Sequence, residues 1–192
     1  MKPAKESSMQ IIRVALSLFL VAWAGFSAAG TPRLGGSLGM AFPTDRLADT
    51  TEPMGNKLLP APGLGLIGAF DPVESLPQLS CEGVLEVNIF RSEDDKNLQV
   101  IYVPVQVAGL WKVGSTGGLD MQVRAGAGGG FLSANSGSPK SLSGVAVSFG
   151  WRVGKDLKDL SCAVETGFDL LFNTTWGGPQ NMFRFKLLLF TR

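Results

Sequence analysis

The 192-residue chain contains no histidine, one tyrosine and two cysteines. Without imidazole it lacks the side chain that ordinarily serves as base or proton shuttle near neutral pH. Charge is scarce as well: only 17% of residues are Asp, Glu, Lys or Arg, against about 25% in ordinary globular chains. The net charge of +1 leaves no basic surplus to grip phosphates, so a nucleic-acid partner is not expected. Beyond the N-terminal segment no apolar stretch reaches the roughly 18 residues that a membrane-spanning helix needs. Metal-ligand spacings are absent and no cofactor is implied. The glycines between Gly126 and Gly130 fall inside an alternating run, not in the strand-to-helix loop that would cradle phosphate.

What is abundant points elsewhere. Glycine is frequent, 25 of 192, and 45% of residues are hydrophobic. An apolar chain without long apolar runs, rich in glycine, favours many short strands joined by turns. The first 29 residues read as a signal peptide, with Met1 or Met9 as the start. Lys2, Lys5 and Arg13 give positive charge, Val14 to Ala24 an apolar core, and Ser27-Ala28-Ala29 a small-residue cleavage site. That leader holds three bases and one acid, so its removal takes the net charge from +1 to −1. The expected mature domain is 30–192.

From Arg33 onward, hydrophobicity alternates with period two. Eight runs emerge: Leu34 to Phe42, Gly63 to Phe70, Leu79 to Phe90, Leu98 to Lys112, Leu119 to Phe131, Ser143 to Val153, Leu160 to Phe172 and Met182 to Thr191. The third is the clearest: Leu79, Cys81, Gly83, Leu85, Val87 and Ile89 share one face, Ser80, Glu82, Glu86 and Asn88 the other. Alternating segments of about ten residues, separated by turns and even in number, are the signature of a transmembrane β-barrel. Strands cross a bilayer only as a closed barrel, since an open edge would strand backbone donors and acceptors in hydrocarbon. The expected fold is therefore all-β: an eight-stranded antiparallel up-and-down transmembrane barrel.

On this reading the apolar face meets lipid. Phe90, Trp111, Phe131, Trp151, Phe172 and Phe183, with Trp176, sit near run ends as an aromatic girdle. The polar face then lines the lumen and brings together Glu82, Glu86, Asp120, Glu165 and Asp169 with Arg124, Arg152, Arg184 and Lys186. An eight-stranded barrel is just wide enough for side chains to fill it. Buried charges must pair or meet water, so five acids facing four bases predict a narrow, salt-bridged lumen; a wetted pore is the alternative. Cys81 and Cys162 fall on the lipid face of the third and seventh strands, on opposite sides of the barrel. They are too far apart for the ~4.4–6.8 Å that a disulfide needs, and two free thiols are expected. Pro104, in mid-strand on the inward face, removes a ladder donor, and a β-bulge there would reconcile it. With the N-terminus in the periplasm, the first, third, fifth and seventh connections face outward.

Leu98 to Val113, LQVIYVPVQVAGLWKV, resembles the proline-containing strand of outer-membrane β-barrel proteins of the OmpA, OmpX, OmpW and PorT-like kind. Ala125 to Leu132, AGAGGGFL, is similar to their glycine-rich next strand. Met182 to Arg192, MFRFKLLLFTR, resembles the closing strand read by the barrel assembly machinery, although Phe190 stands third from the end rather than last. The resemblance implies residence in a bacterial outer membrane, with membrane lipids and the assembly machinery as partners, and a monomer is expected. A structural or surface scaffold, not an enzyme, is the expected role: outer-membrane enzymes of known type use a histidine, and no nucleophile–base constellation stands out. Two alternatives stay open at this point. One is a small porin-like channel or OmpW-like conduit for small apolar solutes; the other is a soluble lipocalin-like barrel for a small ligand.

Overall fold

The computed structural model describes residues 32–44, 58–70, 76–93, 95–135, 141–172 and 180–191. The expected signal peptide and Trp176 lie outside them. Eight strands form one closed antiparallel barrel, each pairing with its sequence neighbour and the last with the first. They are β1 (Pro32–Thr44), β2 (Ala61–Phe70), β3 (Leu79–Arg91), β4 (Gln99–Thr116), β5 (Leu119–Ala134), β6 (Ser141–Asp156), β7 (Leu160–Phe172) and β8 (Gln180–Thr191). The described residues contain no helix. The alternation predicted all eight; most run a few residues past the apolar pattern because ladder pairing continues into the polar rims.

The register leaves no edge. β1 meets β8 from Gly35↔Phe190 to Thr44↔Asn181, and β1 meets β2 from Pro32↔Phe70 to Ala41↔Ala61. Both termini of the barrel, together with connections 71–78, 117–118 and 157–159, therefore lie at one end, here the terminal end. The strand ends Thr44, Ala61, Arg91, Gln99, Ala134, Ser141, Phe172 and Gln180 lie at the other, the loop end. The β4–β5 turn is the tightest. Gly117 and Gly118 both have positive φ, 57° and 76°, as a two-residue type I′ hairpin requires.

Period-two alternation sets which way each side chain points. Leu34, Leu38, Leu64, Leu66, Val145, Phe149, Trp151, Leu187 and Leu189 project outward and are exposed, Leu64 to 65%. Glu82, Glu86, Arg124, Arg152, Glu165, Asp169, Arg184 and Lys186 project inward and are buried. The barrel is thus inverted relative to a water-soluble one: apolar outside, ionic within.

Pro104 corrects one expectation. The β3–β4 register is unchanged across it, from Leu85↔Val105 to Asn88↔Tyr102, and only the pairs between those drop out. On the other side Pro104↔Gly130 is retained. The missing N–H thus faces β3, and the ladder tolerates a local gap without an inserted residue. The register shift falls instead between Lys112 and Gly114, where Val113 is the extra residue at the barrel rim, a common place for bulges.

The glycine-rich segment of β5 is explained by the close approach of its neighbours on the inward side. Gly126, Gly128 and Gly130 face inward. A Cβ on Gly128 would stand 2.0 Å from the Val105 carbonyl oxygen and 2.8 Å from Gln106 Cα; one on Gly130 would stand 2.6 Å from Leu171 Cδ1. Gly129 faces outward, and its nearest neighbour would be the Phe131 ring at 3.7 Å. G128A is expected to destabilise the barrel by about 1–3 kcal/mol through overpacking, and G129A to stay within about 0.5 kcal/mol of the parent. Urea unfolding of the refolded barrel in detergent micelles measures both.

Candidate functional site

The lumen is stacked in tiers, and each strand contributes to them in order. Along β3 the inward residues Glu82, Glu86 and Phe90 lie four apart, so ascending from the terminal end the same wall passes from ionic to apolar. β7 repeats the order with Glu165, Asp169 and Leu171, and β8, read backwards, with Lys186, Arg184 and Met182.

The lower ionic tier is a quartet. Arg152 grips Glu82 with two nitrogens, Nη1 to Oε2 and Nη2 to Oε1, each at 2.9 Å. Its Nη2 also reaches Glu165 Oε2 at 2.5 Å. Arg124 donates from Nε to Glu82 Oε1 at 2.7 Å and stands 3.7 Å from Glu165 Oε2. From Nη1 it donates to Ser148 Oγ at 2.6 Å, and Ser148 in turn donates to Gln106 Oε1 at 2.9 Å. Charge-assisted and two-pronged guanidinium–carboxylate contacts are the strong kind. The second quartet lies toward the loop end. Arg184 Nη2 sits 2.9 Å from Asp169 Oδ1 and its Nη1 3.5 Å from Glu86 Oε2; Lys186 Nζ pairs with that same Glu86 oxygen. Lys186 faces Glu165 across the β7–β8 ladder, so the quartets adjoin.

Each quartet holds two acids and two bases, which makes the buried lumen neutral tier by tier. Asp120 is the correction that brings this about. Expected inside the network, it lies at the terminal rim, where Lys112 Nζ pairs with it at 2.8 Å and Ser115 Oγ donates to it at 2.5 Å. Both members of that ion pair are about two-fifths exposed. The inward parity is kept, but the lumen has already opened to solvent at that level.

Above the quartets the lumen is filled by apolar side chains: Phe90, Leu98, Val100, Tyr102, Leu132, Leu171 and Met182, with Ala41, Ala61, Ala134 and Ala146 between them. Phe90 corrects a second expectation. Placed in the outer girdle by sequence, it points inward and is fully buried. It shares the parity of Glu86 and Asn88, so an aromatic near a strand end did not signal the lipid face. Leu58, which precedes β2, caps this tier; it is buried and bridges to Ser92, while Leu59 N–H donates to the Arg91 carbonyl at 2.8 Å. A smaller apolar cluster of Ile67, Ala69, Val84, Leu188 and Phe190 flanks the lower quartet. The Phe190 ring lies 5.8 Å beneath the Arg152 guanidinium. The apolar tier was the part missed by sequence reasoning. Its signal was the loss of charged residues at inward positions near the loop end of β3, β4, β5 and β8.

Of the remaining girdle residues, Trp111, Trp151 and Phe172 are exposed on the outward face, and Phe131 and Phe183 are partly so. Phe149, Phe168, Phe183 and Phe42 form a continuous outer row over β6, β7, β8 and β1, with ring centroids 5.6, 5.3 and 6.1 Å apart in turn. Cys81 and Cys162 are free thiols. No grouping of three or more metal-ligating side chains occurs among the described residues.

Removing one member of a buried pair leaves its partner charged and unpaired. R152L is therefore expected to cost about 3–5 kcal/mol, and R152L/E165L clearly less than the sum of its single variants. D120N at the solvated rim should cost less than about 1 kcal/mol. A double-mutant cycle by denaturant unfolding in micelles reads all three.

No family model matches the chain, and no curated protein is similar to it in sequence. Solved structures do share its fold. Neisserial surface protein A, NspA, superposes with a TM-score of 0.63 at 5% identity, covering 83% of this chain and 96% of that one. Ail, the attachment invasion locus protein of Yersinia pestis, superposes at 0.51 with 12% identity, covering 84% and 97%. The same protein in complex with the heparin analogue sucrose octasulfate gives 0.50 at 13% identity, covering 83% and 96%. The chain thus has the fold of the small eight-stranded outer-membrane β-barrels.

Proposed function

We propose that the protein is a monomeric scaffold of a bacterial outer membrane: an exported barrel that holds loops at the membrane surface around a lumen closed to ions. One observation carries this reading, the inversion of the barrel. Eight charged side chains are sealed inside while large apolar residues cover the outside. In water such a surface would be an unbroken apolar belt far beyond what soluble monomers expose; against acyl chains it is the stable arrangement. The same inversion stands against the soluble ligand-binding barrel.

Closure of the lumen favours a scaffold over a channel. An ion entering from the loop end meets Leu58 and the Phe90–Leu132 tier, which offer no charged ligand, and then two neutral quartets with no spare charge to attract it. The absence of histidine supports a non-enzymatic role. The partners in this reading are the lipids of the membrane and, during biogenesis, the barrel assembly machinery, reached after cleavage of the N-terminal leader.

Two measurements test it. Trp111 and Trp151 lie exposed on the outward face, Trp151 to 58%. Their fluorescence, isolated by W176F in the mature chain, should be quenched strongly by brominated phospholipid and weakly by aqueous iodide; the opposite order would overturn the membrane reading. In planar bilayers the pure protein should show no stable openings. Reproducible unitary conductance that disappears in variants of Arg124 or Glu86 would replace the scaffold with the porin-like channel.

A further inference from the structure

The two ends of the lumen are chemically unlike, and the difference bears on what can enter. At the terminal end a cavity of about 110 Å³ opens among Arg33, Gln122, Lys155 and Ser161 and reaches down to Arg152 and Phe190. That is room for several waters. Behind it, polar atoms that are fully enclosed find no hydrogen-bond partner in the protein: Gln106 Nε2, Arg124 Nη2, Asp169 Oδ2 and Tyr102 Oη. Left dry, each would cost about 1–3 kcal/mol. Buried groups of this kind are met by enclosed water where space and two or more polar neighbours allow.

These atoms lie in sequence along the lumen. Arg124 is joined to Gln106 through Ser148, and Asn88 faces Tyr102 directly across the β3–β4 ladder. Beyond Tyr102 the described wall is mostly apolar, Phe90, Val100, Leu132, Leu171 and Met182 under Leu58, with the buried Gln180 side chain beside Leu171, and a water there finds few partners.

We infer that the lumen is a hydrated vestibule, entered from the terminal end and blocked, among the described residues, at the apolar tier. It admits water and small neutral hydrogen-bonding solutes, of about the size of urea, past the Arg152–Phe190 contact as far as the quartets, and it stops at the apolar tier. Neutrality of each quartet makes it indifferent to the sign of a solute's charge, so selection is by size and hydrogen bonding. This inference rests on the closed-lumen reading and adds a direction to it.

Single cysteines read the depth of access in a Cys81→Ser/Cys162→Ser background, with heat-modifiable gel mobility as the check on folding. A163C sits at the mouth, S148C and A108C at the level of the quartets, and A146C in the apolar tier. A108C removes no hydrogen-bonding side chain and serves should S148C fail to fold. The probe is hydroxyethyl methanethiosulfonate, small, neutral and water-soluble. A163C should react fastest, A108C and S148C roughly 10- to 100-fold more slowly, and A146C at least 1000-fold more slowly than A163C. Unreactive A108C and S148C beside a reactive A163C would mean a dry interior and would end this inference while leaving the lumen closed. An A146C that reacts as fast as A108C would mean a through-path, and the closed-lumen reading would fall with it.

Discussion

The pairing of four carboxylates with four cations inside a tube of eight strands is the constraint around which the rest of the molecule is arranged. Moving one charge from water into a low-dielectric interior costs several kcal/mol even after relaxation, and mutual attraction repays that only where geometry is good and the remaining donors and acceptors are met. The lower quartet meets that condition best, with Arg152 holding both Glu82 and Glu165, whereas in the upper one Arg184 Nε and both Asp169 oxygens have no hydrogen-bond partner in the protein. Balance within each quartet means that neither tier leaves a net charge for the other to neutralise across the lumen.

That arrangement has to be given room, and β5 provides it. Arg124 reaches across the lumen to Glu82 from a strand whose next three inward positions are Gly126, Gly128 and Gly130. Ser148, Ala108, Tyr102 and Leu171 side chains and the Val105–Gln106 backbone occupy the space that three side chains would have taken. A sequence feature that resembles a flexible or phosphate-binding loop is instead the space into which the flanking strands pack. The outward residues of the same strand, Ala125, Ala127 and Phe131, keep the apolar face continuous, so one segment satisfies two solvents through its two parities.

The architecture was legible in the sequence because period-two alternation is a local signal and each strand carries it independently; Leu79 to Phe90 alone displays it over a full span. The inward direction of Glu82, Arg124, Arg152 and their partners followed from the same parity. What the pattern could not convey was depth. Asp120 and Arg124 have identical parity, yet only the second is enclosed, since enclosure depends on how far the neighbouring strands extend past that level. Phe90 was misread for a related reason: near the loop end the lumen itself becomes apolar, so hydrophobicity no longer distinguishes inside from outside and only register does. Pro104 was read as needing an inserted residue, whereas its missing donor simply coincides with a gap in the ladder to β3. The resemblance carried by Leu98 to Val113 and Met182 to Arg192 agreed with the barrel, and the fold shared with NspA and Ail at 5–13% identity shows how little side-chain identity that architecture demands.

The outer row of Phe149, Phe168, Phe183 and Phe42 spans the junction at which the last strand joins the first. Thr191 Oγ1 donates to the Leu34 carbonyl at the same junction. A chain emerging in order, β1 first, cannot make that junction until β8 exists, and until then two strand edges stay bare. In hydrocarbon bare edges are costly, so they must be paired or shielded until the junction closes. The phenylalanine row, which lies on the lipid side of the junction, acts as a clasp fastened from outside, holding the cylinder shut by contacts that require no change in its interior.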